Sequence, residues 1–286
     1  MIETAPLKKI LLRAPGAIVH DQQDVTAQWQ SLNYLQEPDL AAATKEHELL
    51  ASIIKGIGAE IIYADNNDTL SLDALYVRDA ALPLPSGMVL ARMGKEARHR
   101  EPESLRAIFK ANNIPIAGAI EAPGTLEGGD CVWIDAKTLL IGRTWRTNQS
   151  GIDQVAKILG DDYQVLGFDM PNYKGPDDVF HLMSVLSPIN ARLVVGYPPL
   201  MPVALVEFLH AQNMTILPVA NTEFNSMACN ILALGNDQVI LLKGNPLISK
   251  ALKNEGIMVH EIAGENISHP GQGGPTCLTL PLVREN

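Results

Sequence analysis

Short runs of Ile, Val and Leu, each the length of a β-strand, alternate along the chain with longer segments whose apolar residues recur at helical spacing. The strand-sized runs are Lys9–Leu12, Glu60–Tyr63, Leu75–Val77, Met88–Leu90, Cys131–Ile134, Leu139–Ile141, Leu193–Val195, Met214–Leu217, Asn230–Leu234, Val239–Leu242 and Met258–His260. Several end in Gly, Pro, Asn or Asp, the residues that stop a strand. Helical spacing predicts helices over 38–57, 101–112, 150–160, 202–212 and 246–255, the last two opening at Pro202 and Pro246. Proline suits that position because the first N–H groups of a helix have no intrahelical acceptor. The order strand, helix, strand returns roughly five times, about every 50 to 60 residues, a period typical of repeated supersecondary units. The expectation is therefore α/β, with one catalytic-size domain over residues 1–286 and no linker. A nucleotide-binding sheet would carry GxGxxG or GxxxxGK[ST] directly after a strand, and neither occurs.

Composition and charge narrow the function. Apolar residues are 47% and charged residues 19% of the 286, an ordinary globular balance that excludes a disordered or fibrous chain. The net charge of −10 offers no basic field for a phosphate backbone or an anionic bilayer, so neither nucleic acid nor membrane is expected as a partner. Cys131, Cys229 and Cys277 form no CxxC pair, and their odd number fits neither a disulfide framework nor a zinc site. The longest apolar stretch, around Leu193 to Leu209, is broken by Pro198, Pro199 and Pro202, and the N-terminal residues lack the order of a signal peptide. A reducing, cytoplasmic setting is expected.

Four local patterns could carry chemistry. Gly273-Gly274-Pro275-Thr276-Cys277 places a thiol at a loop-to-strand junction, where it can face a cleft. A thiol becomes a nucleophile only beside a base or a charge that favours the thiolate. His181 is the first choice for that partner, being a single imidazole in the apolar, strand-like run Val179–Met183; His269, in the Gly/Pro-rich loop before Cys277, is a weaker rival. The other histidines, His20, His47, His99, His210 and His260, read as surface. Glu127-Gly128-Gly129-Asp130 sets acids around glycines that permit close backbone approach. Asp73 and Asp79 bracket the apolar run Ala74–Arg78, which reads as a strand with Asp79 at its end. Asn225 falls where a loop could approach the cleft and receives no role.

Taken in order, Tyr76-Val77-Arg78-Asp79, Glu127-Gly128-Gly129-Asp130, Phe180-His181-Leu182 and Gly273–Cys277 resemble the motifs of the guanidino-group-modifying superfamily, which includes arginine deiminases, dimethylarginine dimethylaminohydrolases and amidinotransferases. The resemblance implies a five-bladed, pseudo-symmetric α/β propeller of ββαβ units. It implies Cys277 as nucleophile, His181 as general acid and base, and Glu127 and Asp79 as the carboxylates that hold a guanidinium. It further implies Arg98 and Arg146 on the substrate carboxylate, with Arg100 and Arg143 as near alternatives, and Asp73 on its α-amino group. No cofactor or metal is implied; the partner is a small guanidino amino acid, and a homodimer is left open. Arginine deiminases carry an acid two residues after the catalytic histidine, where this chain has Met183. A thioether accepts no charge-assisted hydrogen bond but can line a pocket for methyl groups. The expected reaction is hydrolysis of Nω-methylated arginine to citrulline, with deimination of free arginine to citrulline as the runner-up; amidino transfer, arginine dihydrolysis and a non-catalytic binding role are the remaining readings.

Overall fold

The computed structural model describes residues 2–65, 70–178 and 180–285. The chain opens with strand β1 (Leu7–Leu12), helices α1 (Gln22–Gln28) and α2 (Leu40–Gly56), and strand β2 (Glu60–Tyr63). There follow β3 (Ala81–Leu84), β4 (Gly87–Leu90), α3 (Glu101–Ala111) and β5 (Ile116–Ala119), then β6 (Cys131–Trp133), β7 (Thr138–Arg143), α4 (Gln149–Leu159) and β8 (Gln164–Asp169). The second half runs through β9 (Leu186–Pro188), β10 (Leu193–Gly196), α5 (Val203–Ala211), β11 (Thr215–Pro218), the short α6 (Asn221–Phe224), β12 (Leu232–Gly235), β13 (Gln238–Leu242), α7 (Pro246–Asn254) and β14 (Met258–Ile262), and reaches β15 (Leu280–Arg284).

These strands form five sheets of three strands each, and all five are built alike. In four of them an antiparallel hairpin is followed by a helix and a strand parallel to the second arm, as in β6-β7-α4-β8, where Cys131 pairs with Ile141 and Leu139 with Val165. The fifth is assembled from both ends of the chain: β15 runs antiparallel to β1, and β2 runs parallel to it, with Leu7 facing Arg284 and Lys9 facing Glu60. The middle strands are buried along their length, which is why they read as continuous apolar runs and not as alternating ones.

Helices α2, α3, α4, α5 and α7 form where the sequence spacing places them, α1 and the short α6 were not expected, and local chemistry starts several of them. Asp39 caps α2 by accepting from Ala42 N–H, and Asn148 caps α4 by accepting from Gly151 N–H. Leu50 and Ile54 of α2 pack against Ile10 and Leu12 of β1, and the other helices cover their own sheets in the same way. The β12–β13 hairpin turns on Asn236 and Asp237, both at positive φ, the conformation that a two-residue turn matching the strand twist requires.

Three expectations need correction. Leu75–Val77 lies in two successive 3-10 turns, Leu72–Leu75 and Val77–Ala80, and not in a strand. The run ending at Met183 is also not a strand: Val179 lies outside the described residues, and Leu182–Ser184 is a 3-10 turn. His47 is not at the surface; it sits on the core face of α2 at 3% exposure, where desolvation lowers its pKa to about 4. No helix among the described residues is long and apolar enough to cross a membrane.

Candidate active site

Two 3-10 turns place acids at the starts of β3 and β6. Asp79 lies in the 3-10 turn directly before β3, and Glu127 precedes the turn Gly128–Asp130 that leads into β6. Their sheets bring them together around His181. Its Nε2 is 2.8 Å from Glu127 Oε2, and its Nδ1 is 3.9 Å from Asp79 Oδ1. Gly94 N–H donates to the other Glu127 oxygen at 2.9 Å, and Gly129 N–H donates to Asp79 Oδ1 at 3.0 Å. Asp130 accepts from Leu182 N–H at 3.0 Å and from Thr144 Oγ1 at 2.8 Å, pinning the turn that carries the imidazole.

Charge follows from this geometry. Burial works against a proton on His181, but the carboxylates of Asp79, Asp130 and Glu127 outweigh it and raise the imidazole pKa to about 9. Burial likewise opposes the charge on Glu127, and the hydrogen bond and charge of His181, with Arg98 and Arg146 nearby, lower its pKa to about 2. At neutral pH the pair is an imidazolium held against a carboxylate.

Cys277 and His181 line the same cavity, about 380 Å³ in volume, whose wall includes Met183, Phe180, Phe224 and Asn230. Desolvation, then the charge of Asp79, raise the pKa of the Cys277 thiol. Asn230 Nδ2 donates to its sulfur at 3.1 Å, while Asn230 Oδ1 accepts from Thr276 N–H at 2.9 Å and from Thr276 Oγ1 at 2.7 Å. Asn230 had entered the sequence reading only as the first residue of an apolar run. Its polar partners lie 46 and 47 residues further on, and no local pattern announces them.

Arg98, Arg146 and Asp73 are also buried but engaged within the protein. Arg98, in a charged stretch that looks solvated, is 3% exposed. It donates to Asp79 Oδ2 at 2.6 Å, to both oxygens of Glu101 at 2.8 Å, and to Tyr76 O at 2.9 Å. It braces Asp79 from behind and, like Arg146, Asp79 and Glu127, does not itself line the cavity. Arg146 is looser, with Nη1 3.6 Å from Glu127 Oε1 and Nη2 donating to Asp178 O at 3.4 Å, and Asp178 does line the cavity. Asp73 holds Lys95 Nζ at 2.7 Å, and the same ammonium donates to Leu32 O at 2.8 Å. Arg143 is exposed and paired with Asp169, and Arg100 is exposed at the start of α3. His269 reaches the cavity rim, as does Asn225.

Among the described residues, Asp79, Glu127 and His181 are the cluster with metal-ligand spacing, their nearest ligand atoms all within 4.8 Å. Each of the two carboxylates accepts from a backbone N–H, and anionic acceptors of this kind suit a planar cation bearing N–H groups.

The family model for arginine deiminase matches residues 71–216 and 201–284. The arginine deiminase of Listeria welshimeri is 26% identical over 255 residues, which cover 74% of this chain and 61% of that enzyme's length. That of Listeria monocytogenes serotype 4a is 24% identical over 348 residues, covering 100% of this chain and 84% of the enzyme. In fold, the chain is similar to the dimethylarginine dimethylaminohydrolase of Pseudomonas aeruginosa, solved as a cysteine-to-serine mutant with citrulline, at TM-score 0.77 and 24% identity over 96% of this chain and 99% of that one. The matched segments span the acids, the histidine and the cysteine described above, and the chain belongs to the arginine deiminase family of the guanidino-group-modifying superfamily.

Proposed function

We propose that this protein is a cysteine-dependent hydrolase of arginine-like guanidino substrates, acting on Nω-methylated arginine to give citrulline and methylamine or dimethylamine. The observation that carries the reading is the convergence of Cys277 and a protonated His181 on one cavity, with Asp79 and Glu127 directly behind the imidazole. A guanidinium held by the two carboxylates presents its central carbon to the sulfur, and its charge offsets the burial that keeps the thiol protonated. The thiolate, its proton released to solvent, attacks that carbon. His181 then gives its proton to the departing amine, and a thiouronium remains on Cys277. Neutral His181 takes a proton from water, the resulting hydroxide adds to the same carbon, and the C–S bond breaks to free the ureido product and the thiolate.

Met183 supports the methylated substrate: it is 3% exposed, lines the cavity and stands two residues from His181, with Phe180 on the other side. Arg146 is our choice for the substrate carboxylate; Arg98 serves as a brace for Asp79. The α-ammonium would meet Asp73 only by displacing Lys95. The family match favours a second reading, deimination of free arginine with release of ammonia. We also read the five sheets as blades of a pseudo-fivefold α/β propeller, residues 1–286 as one catalytic domain, and the three unpaired, buried cysteines as consistent with a reducing cytoplasm.

Incubation with arginine, monomethylarginine and asymmetric dimethylarginine, each beside a Cys277→Ala control, tests this. Citrulline with a methylated amine supports the lead; citrulline with ammonia from arginine alone transfers the assignment to the deiminase. No Cys277-dependent product from any of them sets both aside.

A further inference from the structure

We propose that Asn230 is a catalytic residue of this site: its amide N–H holds the thiolate form of Cys277, and Thr276 locks the amide in the orientation that makes this so. The proposal rests on Cys277 being the nucleophile and adds the group that makes it one.

The argument begins with the two ends of one carboxamide. Asn230 is 6% exposed, and its oxygen already receives two donors, the Thr276 N–H at 2.9 Å and the Thr276 hydroxyl at 2.7 Å. A flipped amide would set its NH2 group against both donors, so the nitrogen must face the other way. There it meets Cys277 Sγ at 3.1 Å. The Thr276 hydroxyl also lies 3.8 Å from the sulfur, but its single proton is committed to Asn230 Oδ1. Gly274 makes room for the arrangement, since a Cβ there would fall 2.6 Å from Asn230 Cγ.

A donor fixed in this way interacts weakly with a neutral thiol and strongly with a thiolate, because hydrogen bonds to ionised acceptors are about twice as strong as neutral ones. The surroundings otherwise favour the thiol through burial and the carboxylate of Asp79. The other titratable groups facing the sulfur's cavity are His181, His269, Tyr173, Lys174 and Asp178, and behind it lies Tyr76, whose hydroxyl is engaged with Ile267 O. Asn230 is thus the side-chain donor oriented onto the sulfur at 3.1 Å, beside the backbone N–H of Gly274.

The test is the pH dependence of Cys277 alkylation by iodoacetamide, followed peptide by peptide in the full-length protein with the buried Cys131 and Cys229 as internal references. Asn230→Ala should raise the midpoint by about one to two pH units, the shift that losing a hydrogen bond to a charged group produces. Asn230→Asp, which keeps the shape but presents an acceptor to the sulfur, should raise it further. Thr276→Val should raise it less, and Thr276→Ser should restore it. Unchanged midpoints in Asn230→Ala and Asn230→Asp, with unchanged melting curves, would overturn the role. If Asn230→Ala does not fold, Thr276→Val and Asn230→Asp decide by the same criterion. The readout uses no guanidine, so wild-type protein that turns over no substrate would remove the proposed function while leaving this comparison standing.

Discussion

Nε2 of His181 and Oε2 of Glu127 lie 2.8 Å apart, and the Glu127 side chain is wholly withdrawn from solvent. A buried carboxylate of this kind is tolerated only because it is paired, and the pairing is what keeps the imidazole charged. Glu127→Gln preserves the shape and removes the charge. His181 should then lose its proton at lower pH, and kcat/KM on the guanidino substrate should fall by roughly 10² to 10⁴, the range for disabling a general acid. A pH–rate profile checks this: the alkaline limb, set by His181 near 9, should move toward neutrality. An unmoved limb would mean that Glu127 does not charge the imidazole.

Stability should carry the same signature. The pKa of His181 is raised from 6.5 to about 9 on folding, so its contribution is complete below 6.5 and is lost as the pH rises through about 9. Glu127 shifts the other way, from 4.5 to about 2, so its contribution holds above 4.5 and is lost as the pH falls toward 2. Melting temperatures should therefore decline between pH 6.5 and 9 in the wild type, and His181→Gln should flatten that decline. An equal decline in both proteins would place its origin elsewhere.

Met183 decides selectivity in the proposed reading. Met183→Asp restores an acid two residues after the histidine and should shift preference from methylated arginine toward arginine, at least about tenfold in relative kcat/KM for a lost or gained charge-assisted hydrogen bond. Competition between the two substrates, scored by methylamine and ammonia release, measures it. Unchanged selectivity would remove Met183 from the specificity argument.

The amount of this site that could be read from the sequence depended on how local each signal was. Cys277 and Glu127 stood out because glycine pairs flank them, and His181 because it is one imidazole in an apolar run. The stretch around Tyr76 misled because residues 72–84 are buried on every side, which erases the periodicity that separates a turn from a strand. Arg98 misled for the opposite reason: its neighbours are charged and solvated, and its burial is dictated by Asp79 and Glu101 folding over it. Strands β5, with small residues Ala117, Gly118 and Ala119, and β8, half-exposed with a glycine at 167, carry weak hydrophobic signals and were not foreseen.

The two central glycines should separate activity from folding. A Cβ at Gly129 would lie 2.7 Å from Asp79 Oδ1 and 2.7 Å from His181 Nδ1, so Gly129→Ala should push these two side chains apart and abolish turnover in a folded protein. A Cβ at Gly128 would fall 2.1 Å from Arg78 O, a backbone atom that cannot step aside. Gly128→Ala should therefore cost at least about 2 kcal/mol of stability, within the range for overpacking. Circular dichroism melts beside activity assays distinguish the two, and a fully active Gly129→Ala would contradict the packing described here.

The pairing of β15 with β1 also sets a timetable. During synthesis β1 and β2 leave the ribosome early and must wait, with one edge of β1 bare, until β15 has been made. Cys277 lies three residues before β15, and its carbonyl accepts from Arg78 N–H, made some two hundred residues earlier. The acids and the imidazole can be in place well before that moment, but the sulfur arrives with the strand that closes the first sheet. A nascent or C-terminally clipped chain thus lacks both the partner strand of β1 and the Cys277 sulfur, so the first sheet and the thiol side of the cavity are completed together.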